Sequence, residues 1–134
     1  MVSHIEIVDM IASPALAPTE REPLSRYDLY MSADVRVLEP RSLPYGGVHQ
    51  GPDALAERAN VFDRTWVKHR HTARRYVQCG DHVAAYLDVQ LTSRTTGDTV
   101  HTRMTQWWRF IGGKIVEIEV FYADTAMVLA AIAT

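Results

Sequence analysis

Two residues that can move protons near neutral pH, Glu39 and His71, are placed where they can act as a base and an acid. Glu39 closes a short run of alternating apolar residues and is followed by Pro40, which stops a strand. If its carboxylate faces an apolar cavity, it loses hydration and its pKa rises toward neutrality. His71 titrates in the same range, and if it faces Glu39 the two form an acid–base pair. The alternative for Glu39 is a solvated carboxylate at the rim of a loop, paired with Arg41.

The segment around His71 is also rich in histidines and cations. His69 and His71 share a strand face, but two ligands in one strand hold a metal weakly, and neither a carboxylate nor a third histidine follows at a useful spacing. Strand alternation places Lys68, Arg70 and Arg74 on one face and Arg75 on the other, which divides the cations. We therefore predict no metal site and no nucleic-acid site, but a solvated or dimer-facing strand.

Length and composition exclude several classes of protein. The chain has 134 residues, 47% of them apolar, and a formal net charge of −2. This length predicts one domain, and the near-neutral charge argues against binding of phosphate backbones by bulk charge. The longest apolar run, 126–133, is too short to span a membrane, and residues 1–10 carry acidic residues where a signal peptide would be basic. With a single cysteine, Cys79, these features predict a soluble cytoplasmic protein that binds no membrane.

The first half of the chain predicts helices and a shaped loop. Spacing and prolines indicate a helix over 5–12, a loop over 13–23, a second short helix over 24–32, a strand ending at Glu39, and a long loop or hairpin over 40–52. Pro52 suits the first position of a third helix. The apolar face of that helix comprises Leu55, Ala59, Phe62 and Trp66.

From residue 67 onward the apolar period changes from helical to two residues. This change predicts four successive antiparallel strands, at about 67–79, 81–93, 99–111 and 114–122. Asp124 can cap a closing helix over 125–133. Helices followed by an antiparallel meander predict an α+β fold with helices on one face of a curved sheet. Strands of this length bend into a cone whose open end makes a pocket.

Strand alternation predicts which side chains face that pocket. The inward set that we expect to contact a ligand comprises Leu87, Val89, Trp108, Ile118 and Tyr122. On the first long strand, Val67, Ala73 and Val77 share a face with His71 and are expected to be buried with it. Trp107 faces outward, and an outward tryptophan predicts a covered sheet face such as a dimer interface.

The order of these elements and several short motifs resemble the NTF2-like superfamily, and within it the SnoaL-like and ketosteroid-isomerase-like branch. The motifs are Ser32-Ala33-Asp34-Val35 before Leu38-Glu39-Pro40, Leu43-Pro44-Tyr45-Gly46-Gly47 closing at Gly51, Gly80-Asp81, Trp108-Arg109-Phe110 with Gly113-Lys114-Ile115 and Glu117, and Phe121-Tyr122-Ala123-Asp124. The resemblance covers residues 24–134 of a single domain, 1–134, and residues 1–23 are atypical. It implies a cone-shaped barrel of N-terminal helices on a curved, mainly antiparallel sheet, an apolar pocket, and a homodimer through the outer sheet face.

The resemblance also implies roles for single residues. Glu39 matches the carboxylate that shuttles protons in ketosteroid isomerases. Gln106 stands where those enzymes place a protonated aspartic acid, and a glutamine still donates an N–H to an enolate although it is a weaker acid. The alternative for Gln106 is an inward polar residue that is bonded to its neighbour. The isomerases use a tyrosine in the first helix, which this chain lacks, so Tyr27 and Tyr30 in the second predicted helix are the candidates to replace it.

Two further parts of the site follow from the resemblance. Tyr45 and His49 lie in the loop that overhangs the pocket mouth in this family, where they contact a ligand or simply form the turn. The family count sends Thr72 inward, whereas strand alternation sends His71 inward. A one-residue bulge would reconcile the two.

The function that the sequence predicts is acid–base chemistry without a cofactor. The enzyme would isomerise, cyclise or dehydrate a hydrophobic carbonyl compound, with Glu39 as base and Gln106 plus a tyrosine or His71 stabilising the oxyanion. One alternative is a non-catalytic NTF2-like module for ligand binding or dimerisation. A second is water activation as in epoxide hydrolases, which requires another inward carboxylate near Glu39, and the parity of Asp88 points it outward.

Overall fold

The computed structural model describes residues 2–12 and 29–133. Their elements in chain order are α1 (His4–Ala12), β1 (Met31–Glu39), β2 (Gly47–Gln50), α2 (Pro52–Thr65), β3 (Trp66–Cys79), β4 (His82–Ser93), β5 (Thr99–Ile111), β6 (Lys114–Tyr122) and α3 (Thr125–Ile132). The strands form one sheet in the order β2-β1-β6-β5-β4-β3, which is antiparallel except for the parallel pair β1 and β6. The sheet is not closed, because β2 and β3 remain as edges. The predicted α+β class is confirmed.

The four long strands lie where the two-residue period predicts them. β5 and β6 have the predicted bounds, and β3 and β4 each begin within one residue of the prediction. The inward side chains of β4 form the centre of the core, and Val83, Ala85, Leu87, Val89 and Leu91 are each at most 2% exposed. Local rules suffice here because both faces of the strand alternate without interruption. In the described ranges, no helix has the length and apolar content needed to span a bilayer.

The predicted third helix and the predicted closing helix both begin where local signals place them. The Asp124 side chain accepts a hydrogen bond from the Met127 N–H at 3.0 Å and caps α3 as expected. Pro52 begins α2. Trp66, however, is the first residue of β3, with an extended backbone paired to Ser93, and not the end of the helical face.

The second predicted helix is wrong at its C-terminal end. Residues 13–28 lie outside the described residues, and with them the predicted loop and most of that helix. Leu29 and Tyr30 form a turn, and Met31 and Ser32 already belong to β1. The reason is tertiary, since β1 pairs with β6 from Met31 onward. The segment after β1 turns back as a hairpin, because β2 pairs with β1.

A β-bulge at Thr72 determines how β3 presents its side chains. His71 pairs with Val89 and Ala73 pairs with Asp88, so Thr72 is the extra residue on its strand. The Thr72 side chain is exposed, and His71 is partly buried on the inner face. The bulge that would reconcile the two predictions is therefore present, and it selects His71.

The same bulge corrects the predicted faces of β3. Ala73 and Val77 come after the bulge and are exposed, since the extra residue exchanges the two faces. Arg74 thereby moves to the inner face. Val67 is 47% exposed and is itself the extra residue of a second bulge, because Trp66 pairs with Ser93 and Lys68 with the adjacent Thr92.

Helix α1 packs on the inner face of β3 and β4. Its apolar residues Ile7 and Val8 are 3% and 0% exposed. Its one carboxylate on this side, Asp9, accepts a hydrogen bond from the Tyr76 hydroxyl at 2.7 Å and pairs with Arg74 Nη1 at 3.3 Å. Tyr76 and Arg74 reach the helix because the bulge turns them inward.

Candidate functional site

The site lies where β1 and β6 end, because parallel strands place their carboxyl ends at the same edge of a sheet. β1 ends at Glu39 and β6 ends at Tyr122, and both side chains are buried. A cavity of about 240 Å³ opens at this edge. Besides Glu39 and Tyr122, its lining includes Leu38, Glu119 and Phe121.

Arg58 from α2 holds one oxygen of the Glu39 carboxylate. Arg58 Nη2 donates to Glu39 Oε2 at 2.9 Å, and the Glu39 side chain is fully buried while that of Arg58 is 26% exposed. Burial raises the pKa of the Glu39 carboxyl from 4.5, and the charge and hydrogen bond of Arg58, with a smaller effect of His49, oppose that rise. Glu39 Oε1 has no hydrogen-bond partner among the described residues. One carboxylate oxygen is therefore fixed and the other can accept a proton.

A chain of hydroxyl and indole groups lies beside this carboxylate. Trp66 Nε1 donates to the Tyr45 hydroxyl at 3.1 Å, and the Tyr45 and Tyr122 hydroxyls are 2.8 Å apart. Burial raises the pKa of Tyr45 to about 12 and the pKa of Tyr122 well above 10, and the nearby charge of Glu39 raises both further. Both phenols are therefore protonated donors at neutral pH. When Tyr45 donates to Tyr122, the proton of Tyr122 is available to a ligand.

The loop after β1 brings Tyr45 into this chain. The Leu43 N–H donates to the Pro40 carbonyl at 3.1 Å, and the Gly46 N–H donates to the Leu43 carbonyl at 2.9 Å. Gly46 lies so close to the Pro40 carbonyl that a Cβ atom would overlap with it. These turns fold Tyr45 under the loop, where it is 1% exposed. It therefore belongs to the core, and its contact with a ligand stays a prediction.

Gln106 faces inward, and its side chain is bonded to its own strand. Its Oε1 accepts from Trp108 Nε1 at 3.1 Å, and its Nε2 donates to Met104 Sδ at 3.4 Å. Gln106 pairs with Val120, which is level with Glu39 on the inner face. Two strand spacings, about 10 Å, therefore separate the backbones of Gln106 and Glu39. The alternative of an inward polar residue bonded to a neighbour describes Gln106 as the structure has it.

His71 lies under the C-terminal end of α1, on the edge strand β3. Its pKa is lowered to about 4 by burial and by His69 and Arg74, while the carbonyl of Ala12 opposes the shift. Its Nδ1 is buried, and the part of the chain that the structure describes offers it no hydrogen-bond partner. β3 is separated from β1 by three strands in the order of the sheet, and the predicted acid–base pair of His71 with Glu39 stays a prediction.

The remaining polar candidates lie in different places. Tyr27 is outside the described residues. Tyr30 precedes β1, and its carbonyl accepts from the Ile115 N–H at 2.7 Å. That position is about 30 Å along the strand from Glu39, so Tyr30 does not replace the missing tyrosine. His49 on β2 is half-buried, and its Nε2 lies 2.9 Å from the Tyr45 carbonyl.

The apolar candidates all face inward as predicted. Leu87, Val89, Trp108 and Ile118 are 0%, 2%, 3% and 7% exposed. They form part of one continuous hydrophobic core. Their orientation is confirmed, and their contact with a ligand stays a prediction.

Sequence reasoning missed Arg58 and gave Trp66 no role in the site. Arg58 follows Leu55 by three residues and precedes Phe62 by four, so it stands on the apolar face of α2. A cation in the middle of an apolar helix face was the available signal. Within residues 2–12 and 29–133, no three metal-binding side chains lie close enough together to hold an ion.

Comparison with known families assigns the chain to one of them. Residues 15–118 match the family model described as a SnoaL-like domain. The protein belongs to the SnoaL-like family. No curated protein matches its sequence.

Solved structures share the NTF2-like fold of this SnoaL-like protein. An NTF2-like protein of unknown function from Burkholderia pseudomallei has a TM-score of 0.80 at 21% identity, over 96% of this chain and 98% of that one. TerC, co-crystallised with polyporic acid, has a TM-score of 0.77 at 19% identity, over 96% and 98%. A protein from Jannaschia sp. CCS1 proposed to be a SnoaL-like polyketide cyclase has a TM-score of 0.79 at 13% identity, over 96% and 90%. At these identities the likeness establishes the fold and leaves the reaction open.

Proposed function

We propose that this SnoaL-like protein is a cofactor-free enzyme that moves a proton on a hydrophobic carbonyl compound, with Glu39 as the base. The observation that supports this proposal is the buried Glu39 carboxylate, with Oε2 held by Arg58 and Oε1 without a partner among the described residues. Its raised pKa brings it closer to the pH at which a general base works best. Beside it, the protonated Tyr122 hydroxyl is a hydrogen-bond donor for the oxygen that becomes charged when Tyr45 donates to Tyr122.

The reaction balances with these groups alone. Glu39 Oε1 takes a proton from the carbon next to the carbonyl, and the electron pair of the C–H bond moves through that carbon to the carbonyl oxygen. The Tyr122 hydroxyl donates a hydrogen bond to the enolate oxygen, and the buried surroundings strengthen that bond. Return of the proton to another carbon gives isomerisation. Attack of the enolate carbon on a second carbonyl gives cyclisation, and loss of hydroxide gives dehydration.

The structural relatives support a small carbonyl ligand, and the cavity volume limits its size. The volume of about 240 Å³ measured over the described residues lies below the ~300–1,000 Å³ of common small-molecule sites. Among the apolar lining residues, Val120 shares the inner face with Glu39, whereas Leu38 and Phe121 line the cavity from the outer face. The co-crystallisation of TerC with polyporic acid, and the cyclase assignment proposed for the Jannaschia protein, agree with a carbonyl compound of this kind.

An exchange experiment on simple ketones tests the role of Glu39 without knowledge of the natural substrate. We expect the protein to catalyse hydrogen–deuterium exchange at the carbon next to the carbonyl of cyclohexanone and cyclohex-3-enone in D₂O, followed by NMR. Glu39→Gln should lower the rate by about a hundredfold or more, because it removes the general base. Glu57→Gln is the matched control, since Glu57 lies on the surface of α2 with a side chain that is 67% exposed. Equal exchange rates in wild type and Glu39→Gln would contradict the proposal.

A non-catalytic binding module is the second candidate. Two contacts favour it, the ion pair of Glu39 with Arg58 and the hydrogen bond of Trp108 to Gln106. Each of them already gives a partner to a side chain that catalysis would use. It predicts ketone binding without exchange. Water activation has less support, because Glu39 is the one buried carboxylate among the described residues and Asp88 lies on the outer face opposite Arg103.

A further inference from the structure

We propose that Arg58 is a second catalytic residue, which binds the ligand oxygen that becomes negatively charged when Glu39 takes the proton. The inference rests on the proposed function and narrows its ligands to compounds that form a planar oxyanion by losing one proton, namely enols, phenols and enolisable ketones. In this scheme Arg58 remains in place, and the negative charge that it pairs with moves from Glu39 to the ligand.

The position of the guanidinium group supports this role. It extends from α2 into the interior, where its Cζ lies 5.4 Å from the ring centre of Phe62 and 6.0 Å from that of Tyr45. Nη2 is bonded to Glu39, but Nε is buried and finds no hydrogen-bond partner in the described ranges. A buried N–H without a partner costs free energy, and a ligand oxygen placed there removes that cost. The side chain that holds the base therefore has one buried N–H that still lacks an acceptor.

The charge balance of the Glu39–Arg58 pair also supports binding of a ligand oxyanion by Arg58. Glu39 and Arg58 together are neutral, and the Glu39 side chain has no access to water. Protonation of Glu39 alone would leave Arg58 as an unpaired cation in a largely buried place, which is unfavourable. If the proton comes from a ligand, the new oxyanion replaces the lost carboxylate charge. Only the ligand O–H or C–H bond breaks and only the Glu39 O–H bond forms, so no other reactant is needed.

The geometry of an arginine also suits this exchange. A guanidinium has five N–H donors in one plane, so it can hold a carboxylate on one side and a second oxygen on another. The rings of Tyr45 and Phe62 lie within cation–π distance of it. A lysine would keep the charge but lose the rigid planar arrangement of the donors. The proposal therefore predicts different behaviour for Arg58→Lys and Arg58→Met.

Binding of 4-nitrophenol tests the role, because its absorbance distinguishes the bound phenol from the bound phenolate. Titrations monitored by absorbance and calorimetry are done below the pKa of the free phenol. We expect wild type to bind it as the phenolate. Arg58→Met should bind about ten- to a hundredfold more weakly, with the spectrum of the neutral phenol, and Arg58→Lys should be intermediate. Glu39→Gln should bind the phenolate form at least as tightly as wild type, because the competing carboxylate is gone.

Two further variants serve as controls for this test. Arg64→Met is the matched control, since Arg64 lies on the same helix with a side chain that is 69% exposed and pairs with Glu57 at the surface. Its binding should equal that of wild type. If Arg58→Met fails to fold because Glu39 is left unpaired, the double variant Glu39→Gln/Arg58→Met removes both charges, and it should bind only the neutral phenol.

The outcomes separate this inference from the proposed function. Phenolate binding by Arg58→Met, or by the double variant, at wild-type affinity and with an unchanged spectrum would overturn the role of Arg58, even if Glu39→Gln abolishes exchange. Loss of phenolate binding in Arg58→Met together with full exchange by Glu39→Gln would support Arg58 and remove Glu39 as base. Failure of wild type to bind the phenol would overturn the role of Arg58, while the exchange experiment alone decides the role of Glu39.

Discussion

The two oxygens of Glu39 show how one residue can be both held and available. Oε2 is fixed by Arg58, and Oε1 faces no partner among the described residues. Removal of either charge has unequal effects, because Arg58→Met leaves a buried carboxylate unpaired while Glu39→Gln keeps a hydrogen-bond acceptor.

His71 is the second residue whose environment makes a measurable difference. Its pKa of about 4 in the folded protein, against 6.5 for an ordinary histidine, means that the unfolded chain takes up a proton first as the pH falls. Stability is therefore lost between pH 6.5 and pH 4, by at most about 3 kcal/mol. Glu39, whose folded pKa is raised, acts in the opposite direction above pH 4.5.

Urea unfolding at pH 7 and pH 5 measures this effect. His71→Gln should reduce the loss of stability on acidification, because the titrating group is gone, while the opposing effect of Glu39 remains. His101→Gln is the control, since His101 is exposed on β5. An unchanged difference between the two pH values in His71→Gln would show that His71 is protonated normally in the folded protein.

At the scale of elements, the bulge in β3 determines how α1 docks on the sheet. The extra residue Thr72 turns Arg74 and Tyr76 inward, and both then contact Asp9 on α1. A strand without the bulge would present Ala73 and Val77 to the helix instead. The bulge thus supplies polar partners for a helix that also buries Ile7 and Val8.

Asp9→Asn should weaken this docking. We expect faster amide exchange in α1 and a loss of about 0.5–1.5 kcal/mol of stability, because one charged partner of a partly exposed group is removed. In a double-mutant cycle with Tyr76→Phe, the two effects should be less than additive, since Asp9→Asn weakens the charge-assisted hydrogen bond that Tyr76→Phe removes. Additive effects with unchanged exchange in α1 would contradict a joint role.

At the scale of the whole molecule, the outer sheet face carries several exposed apolar side chains. Val77, Tyr86, Trp107 and Phe121 are 65%, 39%, 43% and 48% exposed and come from β3, β4, β5 and β6. Large exposed apolar patches mark interaction sites in soluble proteins. We propose, with the family resemblance, that two copies pair through this face.

Light scattering after size-exclusion chromatography tests the pairing. Wild type should elute as a dimer and Trp107→Asp as a monomer, because a carboxylate in the centre of an apolar interface is not compensated. Leu29→Asp is the control, since Leu29 is 70% exposed in the turn before β1. A monomeric wild type, or a dimeric Trp107→Asp, would contradict the proposed interface.

The sequence by itself determined the features that depend on near neighbours. The two-residue period located β3 to β6, Pro40 marked the end of β1, and Asp124 marked the cap of α3. These signals are local because backbone geometry sets the period of a strand and the needs of a helix end. They also placed Glu39 at a strand end, which is half of the site.

Only the tertiary structure decided what surrounds that carboxylate. The pairing of Glu39 with Arg58 joins a strand end to a helix, and the Tyr45–Tyr122 bond spans 77 residues of sequence. The bulge at Thr72 is defined by the partner strand, so no alternation within β3 reveals it. Charge pairing, burial and strand register depend on how the elements pack against one another, and this packing arises only when the chain folds.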